Sequence, residues 1–231
     1  MWHTDPMSAS SLRARVRAEL TDEIKAVARR HLATDGSNLS LRAVARDLGM
    51  ASSAVYRYFA SRDELLTALI TDAYGSLADT AEAAPRPDGF TDRWLAVSHA
   101  MREWALAHPH EWALIYGSPV PGYDAPQDTA TAAARVIMTL AGIVHEATTA
   151  GVLADGPPLT GPLRDELQAV ADTFTPGASP QAVGRAMAGW IHLCGAVSGE
   201  LFGQLSGTVD ARRDYFDFQM RGMAGWVGLP I

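Results

Sequence analysis

Between Ser52 and Arg57 the chain carries a dense run of hydrogen-bonding side chains, Ser52, Ser53, Tyr56 and Arg57, broken only by Ala54 and Val55. Hydroxyl, phenol and guanidinium groups at this density donate to phosphate oxygens and base edges, the chemistry of a nucleic-acid contact. A second cluster, His108-Pro109-His110-Glu111, has the composition of a metal site. It lies beside a proline at a helix start with no cysteine partner, so the reading is a packed or solvated role and no metal is expected. His145 and Glu146 have no partner at ligand spacing, and His99, His145 and His192 are spread over separate helical stretches. No Ser-His-Asp order, G-x-S-x-G elbow, glycine-rich phosphate loop or H-E-x-x-H occurs. The residues argue against an enzyme, and they imply no cofactor.

The elements that must position the Ser52–Arg57 run are short. Ser40 stands where an N-cap belongs, and Leu41, Val44, Ala45 and Leu48 form the apolar face of a short helix that Gly49 ends. About three residues later Ser52 or Ser53 is expected to cap a second short helix carrying Val55, Tyr56, Tyr58 and Phe59. Helix, tight turn and helix over residues 40–59 predict a helix-turn-helix whose second helix enters the major groove. Gly49 permits the reversal, Ala45 lets the helices cross closely, and Val44, Leu48 and Val55 set the crossing. Ser52, Ser53, Ala54, Tyr56 and Arg57 remain outward, while Tyr58 and Phe59 are expected to pack inward.

Around this motif the periodicity is helical throughout. Val16, Leu20, Ile24, Val27 and Leu32 predict a helix over about 12–34, closed by Asp35-Gly36-Ser37-Asn38. Ser61 with Glu64 is a capping-box pattern opening a longer helix that runs to about residue 84. Proline and glycine breaks then separate stretches at 91–107, 110–116, 128–150, 163–173, 181–205 and 210–227. No segment alternates as a strand would. The expected fold is all-α with about nine or ten helices. Its parts are a helix-turn-helix domain over 1–62, a connecting helix over about 61–84, and a helical-bundle domain over 85–231.

With 48% hydrophobic and 19% charged residues among 231, the chain has material for a sizeable core and is not a disordered protein. The net charge of −7 is unevenly placed. Residues 1–62 hold ten basic and six acidic groups, a net +4, and residues 63–231 hold nine basic and twenty acidic groups, a net −11. A basic module joined to an acidic one points to phosphate contact at the N-terminal end. No run of about 18 apolar residues predicts a membrane span. The lone Cys194 and a polar, arginine-rich start without signal-peptide character fit a cytoplasmic protein.

The segment LSLRAVARDLGMASSAVYRYFASRDELLTALI resembles the DNA-binding domain of the TetR family of bacterial transcription regulators. The resemblance rests on Ala45, Gly49, Val55-Tyr56-Arg57-Tyr58-Phe59 and Arg62-Asp63-Glu64-Leu65, within about the first seventy residues. It implies phosphate contacts from Ser40, Tyr56 and Arg62, and groove-facing positions at Arg42, Ser52, Ser53 and Arg57. Arg62 stands where many members have lysine, and Tyr58 where histidine is common. A domain of this size is expected to act as a two-fold dimer on palindromic double-stranded DNA.

Residues 85–231 are rich in bulky apolar groups, among them Trp94, Met101, Trp104, Trp112, Tyr116, Met138 and Trp190. At helical spacing such residues serve equally as core or as the wall of an effector pocket. The family resemblance implies the pocket, for a small apolar effector. His108–Gly117 and Trp190-Ile191-His192-Leu193-Cys194-Gly195 resemble the Trp-His-Gly subtype of TetR C-terminal domains, with Cys194 in place of the signature histidine. The last two stretches, about 181–205 and 210–227, resemble the pair through which such proteins form homodimers. Gly184, Ala188, Gly195, Gly199 and Gly203 would allow close helix approach there or within the chain. The expected function is a homodimeric one-component repressor that its ligand releases from operator DNA. Two other classes stay open: a helical-bundle metal protein or enzyme with an incidental helix-turn-helix, and a DNA-binding dimer without a ligand.

Overall fold

The structure, a computed structural model, describes residues 9–35 and 39–230. The expected turn residues Gly36, Ser37 and Asn38, and the stretch before residue 9, lie outside the described residues. Among the described residues there are ten helices and no strand: α1 (Ala9–Asp35), α2 (Leu41–Asp47), α3 (Ser52–Val55), α4 (Arg62–Glu82), α5 (Phe90–Ala107), α6 (Pro109–Tyr116), α7 (Gln127–Thr149), α8 (Pro162–Phe174), α9 (Pro180–Leu201) and α10 (Arg212–Val227). The all-helical architecture expected from the periodicity is the one observed.

Local signals place most of these boundaries. Ser40 caps α2, accepting the Ala43 N–H at 3.4 Å. At α4 the Glu64 N–H donates to Ser61 Oγ at 3.1 Å, and the Glu64 carboxylate reaches back to the Ala60 N–H at 2.5 Å, one residue before the usual partner of a capping box. Prolines occupy the first turns of α6, α8 and α9, where the missing N–H costs nothing, and Ser179 caps α9 by accepting the Ala182 N–H. Gly228, at φ 100°, closes α10: the Leu229 N–H reaches Ala224 O and the Gly228 N–H reaches Gly225 O. That is a Schellman closure with its apolar follower, Leu229, buried.

Three local expectations are corrected. The residue before α3 is Ala51, in extended conformation, and neither Ser52 nor Ser53 caps the helix, since both already lie inside it. Val16 does not belong to a buried stripe: residues 11–19 are all exposed and Val16 retains 44% of its surface, so the helical period continues there on a face open to solvent. Helix α9 ends at Leu201 rather than near 205, and Gly203 beyond it takes φ 79°.

The chain forms two compact units. One comprises the described residues up to Ile70 together with Ser118–Pro126; the other comprises Thr71–Gly117 and the chain from Gln127 onward. In the first, Ile24, Val27, Ala28, Leu32, Leu41, Val44, Ala45, Val55, Phe59, Leu65, Leu66 and Leu69 are buried. The Tyr123 hydroxyl meets Thr67 Oγ1 at 2.9 Å and joins the 118–126 segment to α4. In the second, Trp94, Met101, Trp112, Leu193, Phe216 and Met220 are fully enclosed. Within that core Arg102 of α5 grips Glu200 of α9 through two bonds of 2.7 and 2.6 Å, with its guanidinium over the Phe216 ring. The glycine at which helices meet most closely is Gly189, where a Cβ would stand 2.9 Å from Trp94.

Candidate nucleic-acid interface

The helix-turn-helix is built from the apolar side inward. Leu41, Val44 and Ala45 bury one face of α2, and Leu48 follows as its C-cap. The Met50 N–H returns to Ala45 O and the Gly49 N–H to Arg46 O, which reverses the chain. Gly49 sits at φ 65°, and a Cβ there would meet nothing within 4 Å. Glycine is needed for the left-handed backbone, not for space. Helix α3 is a single turn continued by turns: Tyr56 N–H reaches Ser52 O and Phe59 N–H reaches Val55 O, both at 3.1 Å. Val55 and Phe59 anchor it in the core.

The opposite side of α3 is polar and open. Ser53, Tyr56 and Arg57 are exposed, with Tyr56 retaining 43% of its surface, while Ser52 and Ala54 are half-buried. Arg42 on α2 is exposed, and Ser40 at its start is exposed beside it. Arg62 opens α4 half-buried, 3.3 Å from Asp63. Tyr58 is half-buried, under the guanidinium of Arg17, which also donates to Arg57 O. All seven expected contact residues therefore lie in the first unit: Ser40 and Arg42 at the start of α2, Ser52, Ser53, Tyr56 and Arg57 on α3 and the turn that continues it, and Arg62 at the start of α4.

Two supports of this surface were not foreseen. Arg17 of α1 holds the end of α3 through its ring and carbonyl contacts. His31 of α1 meets Asp47 of α2 at 2.7 Å, and that hydrogen bond, with Arg46 nearby, holds the Asp47 carboxyl below the usual carboxylate range. Neither pairing leaves a sequence signal, because the partners stand 40 and 16 residues apart on helices whose crossing decides them.

In the second unit the seven aromatic and methionine residues divide. Trp94, Met101 and Trp112 are enclosed in the core, and Trp104 is buried with its indole N–H on Ser76 Oγ. Trp112 donates to Ser198 Oγ, and Tyr116 packs against Tyr74, Trp112 and Trp190. Met138 and Trp190 line an apolar cleft of about 220 Å³ between α7, α8 and α9, with Val144, Thr175, Val183 and Met187. Val183, Ala186, Met187 and Trp190 recur at helical spacing along α9, a signal present in the sequence; Thr175 leaves none.

Among the described residues no three His, Cys, Asp or Glu gather as a metal ion would require. His108 instead stacks on Trp104, 4.9 Å between ring centres. Burial pushes the Cys194 thiol up to about 12, which favours the protonated thiol over the thiolate at neutral pH. No helix among the described residues is long and apolar enough to cross a membrane. On α9, at its C-cap and on α10 several large apolar side chains are exposed: Met187 and Ile191, then Phe202, then Tyr215, Phe218 and Trp226.

Comparisons with known proteins follow the same division. Residues 24–69 match the family described as bacterial regulatory proteins, tetR family, and residues 94–223 match the family described as tetracyclin repressor-like, C-terminal domain. HTH-type transcriptional regulators Rv1816 of Mycobacterium tuberculosis and Mb1846 of Mycobacterium bovis are each 43% identical over 199 residues, covering 81% of this chain and 83% of theirs. The crystal structure of SCO4313 superposes with a TM-score of 0.73 at 36% identity, over 92% of this chain and 98% of that one. A protein of unknown function from Rhodococcus sp. RHA1 shares the fold, with a TM-score of 0.64 at 24% identity, over 95% of this chain and 98% of that one.

Proposed function

The chain belongs to the TetR family of bacterial transcriptional regulators, and from that premise we propose that it is a homodimeric repressor released from a palindromic operator by a small apolar effector. The observation that carries the DNA reading is the polar side of α3, where Ser53, Tyr56 and Arg57 are open above a fully buried Val55. In this reading Ser40, Tyr56 and Arg62 meet phosphates, which positions the domain. Arg42, Ser52, Ser53 and Arg57 face the major groove, and an arginine there discriminates guanine by about 1–3 kcal/mol.

The dimer reading rests on α9 and α10. Ile191 retains 60% and Phe218 72% of their surface, and with Met187, Tyr215 and Trp226 they gather exposed apolar groups on the same two helices, a concentration that favours an interaction surface. Gly195, where a Cβ would meet nothing, leaves α9 open on one side. Gly184 serves a different purpose, since a Cβ there would stand 3.0 Å from Leu167 of α8.

The effector reading rests on the cleft and on how α7 is tied to α4. Arg135 of α7 reaches Asp79 at 2.8 Å and Glu82 at 2.7 Å on α4, the helix whose first half belongs to the DNA-contacting unit. A ligand that binds better to one position of α7 would bias α4, and linkage requires that operator DNA weaken ligand binding by the same factor. Selection of bound DNA from a random library is the test. Enrichment of a palindrome supports the reading, and a wild-type chain that enriches none overturns it.

A further inference from the structure

The cleft between α7, α8 and α9 has a graded wall. Leu140, Val144 and Val183 are buried in it, while Met138, Phe174 and Met187 are exposed. Among the described residues no charged side chain lines it. A carboxylate or ammonium brought into such a site loses its water and meets no opposite charge, which disfavours the charged form. Besides the Trp190 indole N–H, the polar exception is Thr175. It follows the last residue of α8, it is 6% exposed, and its backbone N–H is already used on Ala171 O at 2.9 Å. Its hydroxyl has no hydrogen-bond partner in the protein. Buried hydroxyls are rarely left so, and an apolar wall formed for packing alone would be served better by valine.

We propose that this cleft binds a small neutral molecule, with an apolar body between α7 and α9 and one polar atom hydrogen-bonded to the Thr175 hydroxyl. Short- and medium-chain alcohols, ketones and esters have this chemistry; fatty carboxylates do not. The volume of about 220 Å³ lies below the roughly 300–1,000 Å³ of sites for drug-sized ligands, so the occupant is short. Met138 and Met187 supply adaptable thioethers that tolerate differences in shape. Thr175, nearly enclosed, is out of reach of a flat helix face, so the occupant is a small molecule and not a second copy of the chain. The assignment rests on the effector reading above and names the ligand class for it.

Calorimetry on the full chain with 1-octanol, 2-octanone and octanoate tests it. The two neutral probes are expected to bind, and octanoate at pH 7.5 at least tenfold more weakly. Thr175→Val weakens both neutral probes by roughly 2- to 10-fold, leaves octanoate unaffected, and does not lower Tm, because the lost hydroxyl had no partner. Ala186→Trp fills the cleft and abolishes binding of all three. Failure of both neutral probes to bind, equal binding of octanoate and octanol, unchanged affinity in Thr175→Val, a lower Tm in that variant, or full binding in Ala186→Trp would each overturn the assignment. Operator release is scored in parallel. Probes that bind through Thr175 without releasing DNA uphold the cleft assignment and remove the effector reading.

Discussion

The two units expose opposite chemistries on their short and long helices. Around α3 the open groups are a serine, a phenol and a guanidinium above two buried anchors, Val55 and Phe59. On α9 and α10 the open groups are Ile191, Phe218 and Trp226, and the cleft beside α9 is apolar apart from Thr175 and the Trp190 indole N–H. The first surface suits a charged, hydrated partner whose affinity falls with salt through counterion release. The second suits partners recognised by the loss of apolar surface from water, which salt affects little. The net charges of +4 and −11 for residues 1–62 and 63–231 reinforce the division, since the acidic part repels a phosphate backbone.

The largest effect is expected where the two chemistries depend on each other. Ile191→Glu with Phe218→Glu places charge on the exposed apolar faces of α9 and α10. Sedimentation is expected to move from dimer to monomer, and operator affinity to fall by at least about 100-fold as the linked second half-site is lost. A double variant that stays dimeric and binds normally would move the dimer interface elsewhere.

Next comes the stability of the second unit. Glu200→Ala leaves Arg102 buried without its carboxylate, and removing one partner of such a pair costs about 3–5 kcal/mol. Thermal melting checks this, and a change under about 1 kcal/mol would mean that water reaches the Arg102 guanidinium.

Smaller effects separate positioning from readout within the first unit. Tyr56→Ala is expected to weaken every DNA sequence alike, whereas Arg57→Ala or Arg42→Ala also flattens preference at one base, at about 1–3 kcal/mol. Gel shifts on the selected palindrome and on single-base variants distinguish them. Equal loss across all variants for both arginines would reduce them to phosphate contacts.

The smallest expected effect is a dependence on pH at the α1–α2 contact. Asp47 has its pKa lowered in the folded state, first by the His31 hydrogen bond. Its contribution is therefore present above the ordinary carboxylate pKa, near 4, and is lost as pH falls through the folded value. Asp47→Asn should flatten the decline in stability below about pH 4. Urea midpoints for wild type and variant that fall in parallel with acid would exclude this contact.

Much of this molecule was legible residue by residue. Ser40, Gly49, Ser61, Pro109, Pro162, Ser179 and Gly228 act within four or five residues of themselves, so helix starts, stops and the α2–α3 reversal could be read locally. The local signals misled where two neighbours competed, as at Ala51 against Ser52 and Ser53, and where periodicity continued without a surface to bury it, as at Val16. The nominated pocket shows the limit most clearly. Composition singled out seven large apolar residues, and the structure encloses three of them completely while leaving Met138 and Trp190 on the cleft.

By itself the sequence determined the helical architecture, the reversal that presents Ser53, Tyr56 and Arg57, and the separation of basic from acidic halves. These follow from backbone caps, a 3.6-residue period and counted charge, all of which act along the chain. Only the tertiary structure decided that Arg17 and His31 brace the end of α3 and α2, that the 118–126 segment returns to the first unit, and that Thr175 has an unpartnered hydroxyl in an apolar cleft. Those outcomes depend on which surfaces meet when helices distant in sequence pack. A hydroxyl or an aromatic ring has the same local signature whether its neighbour is water, core or an open cleft.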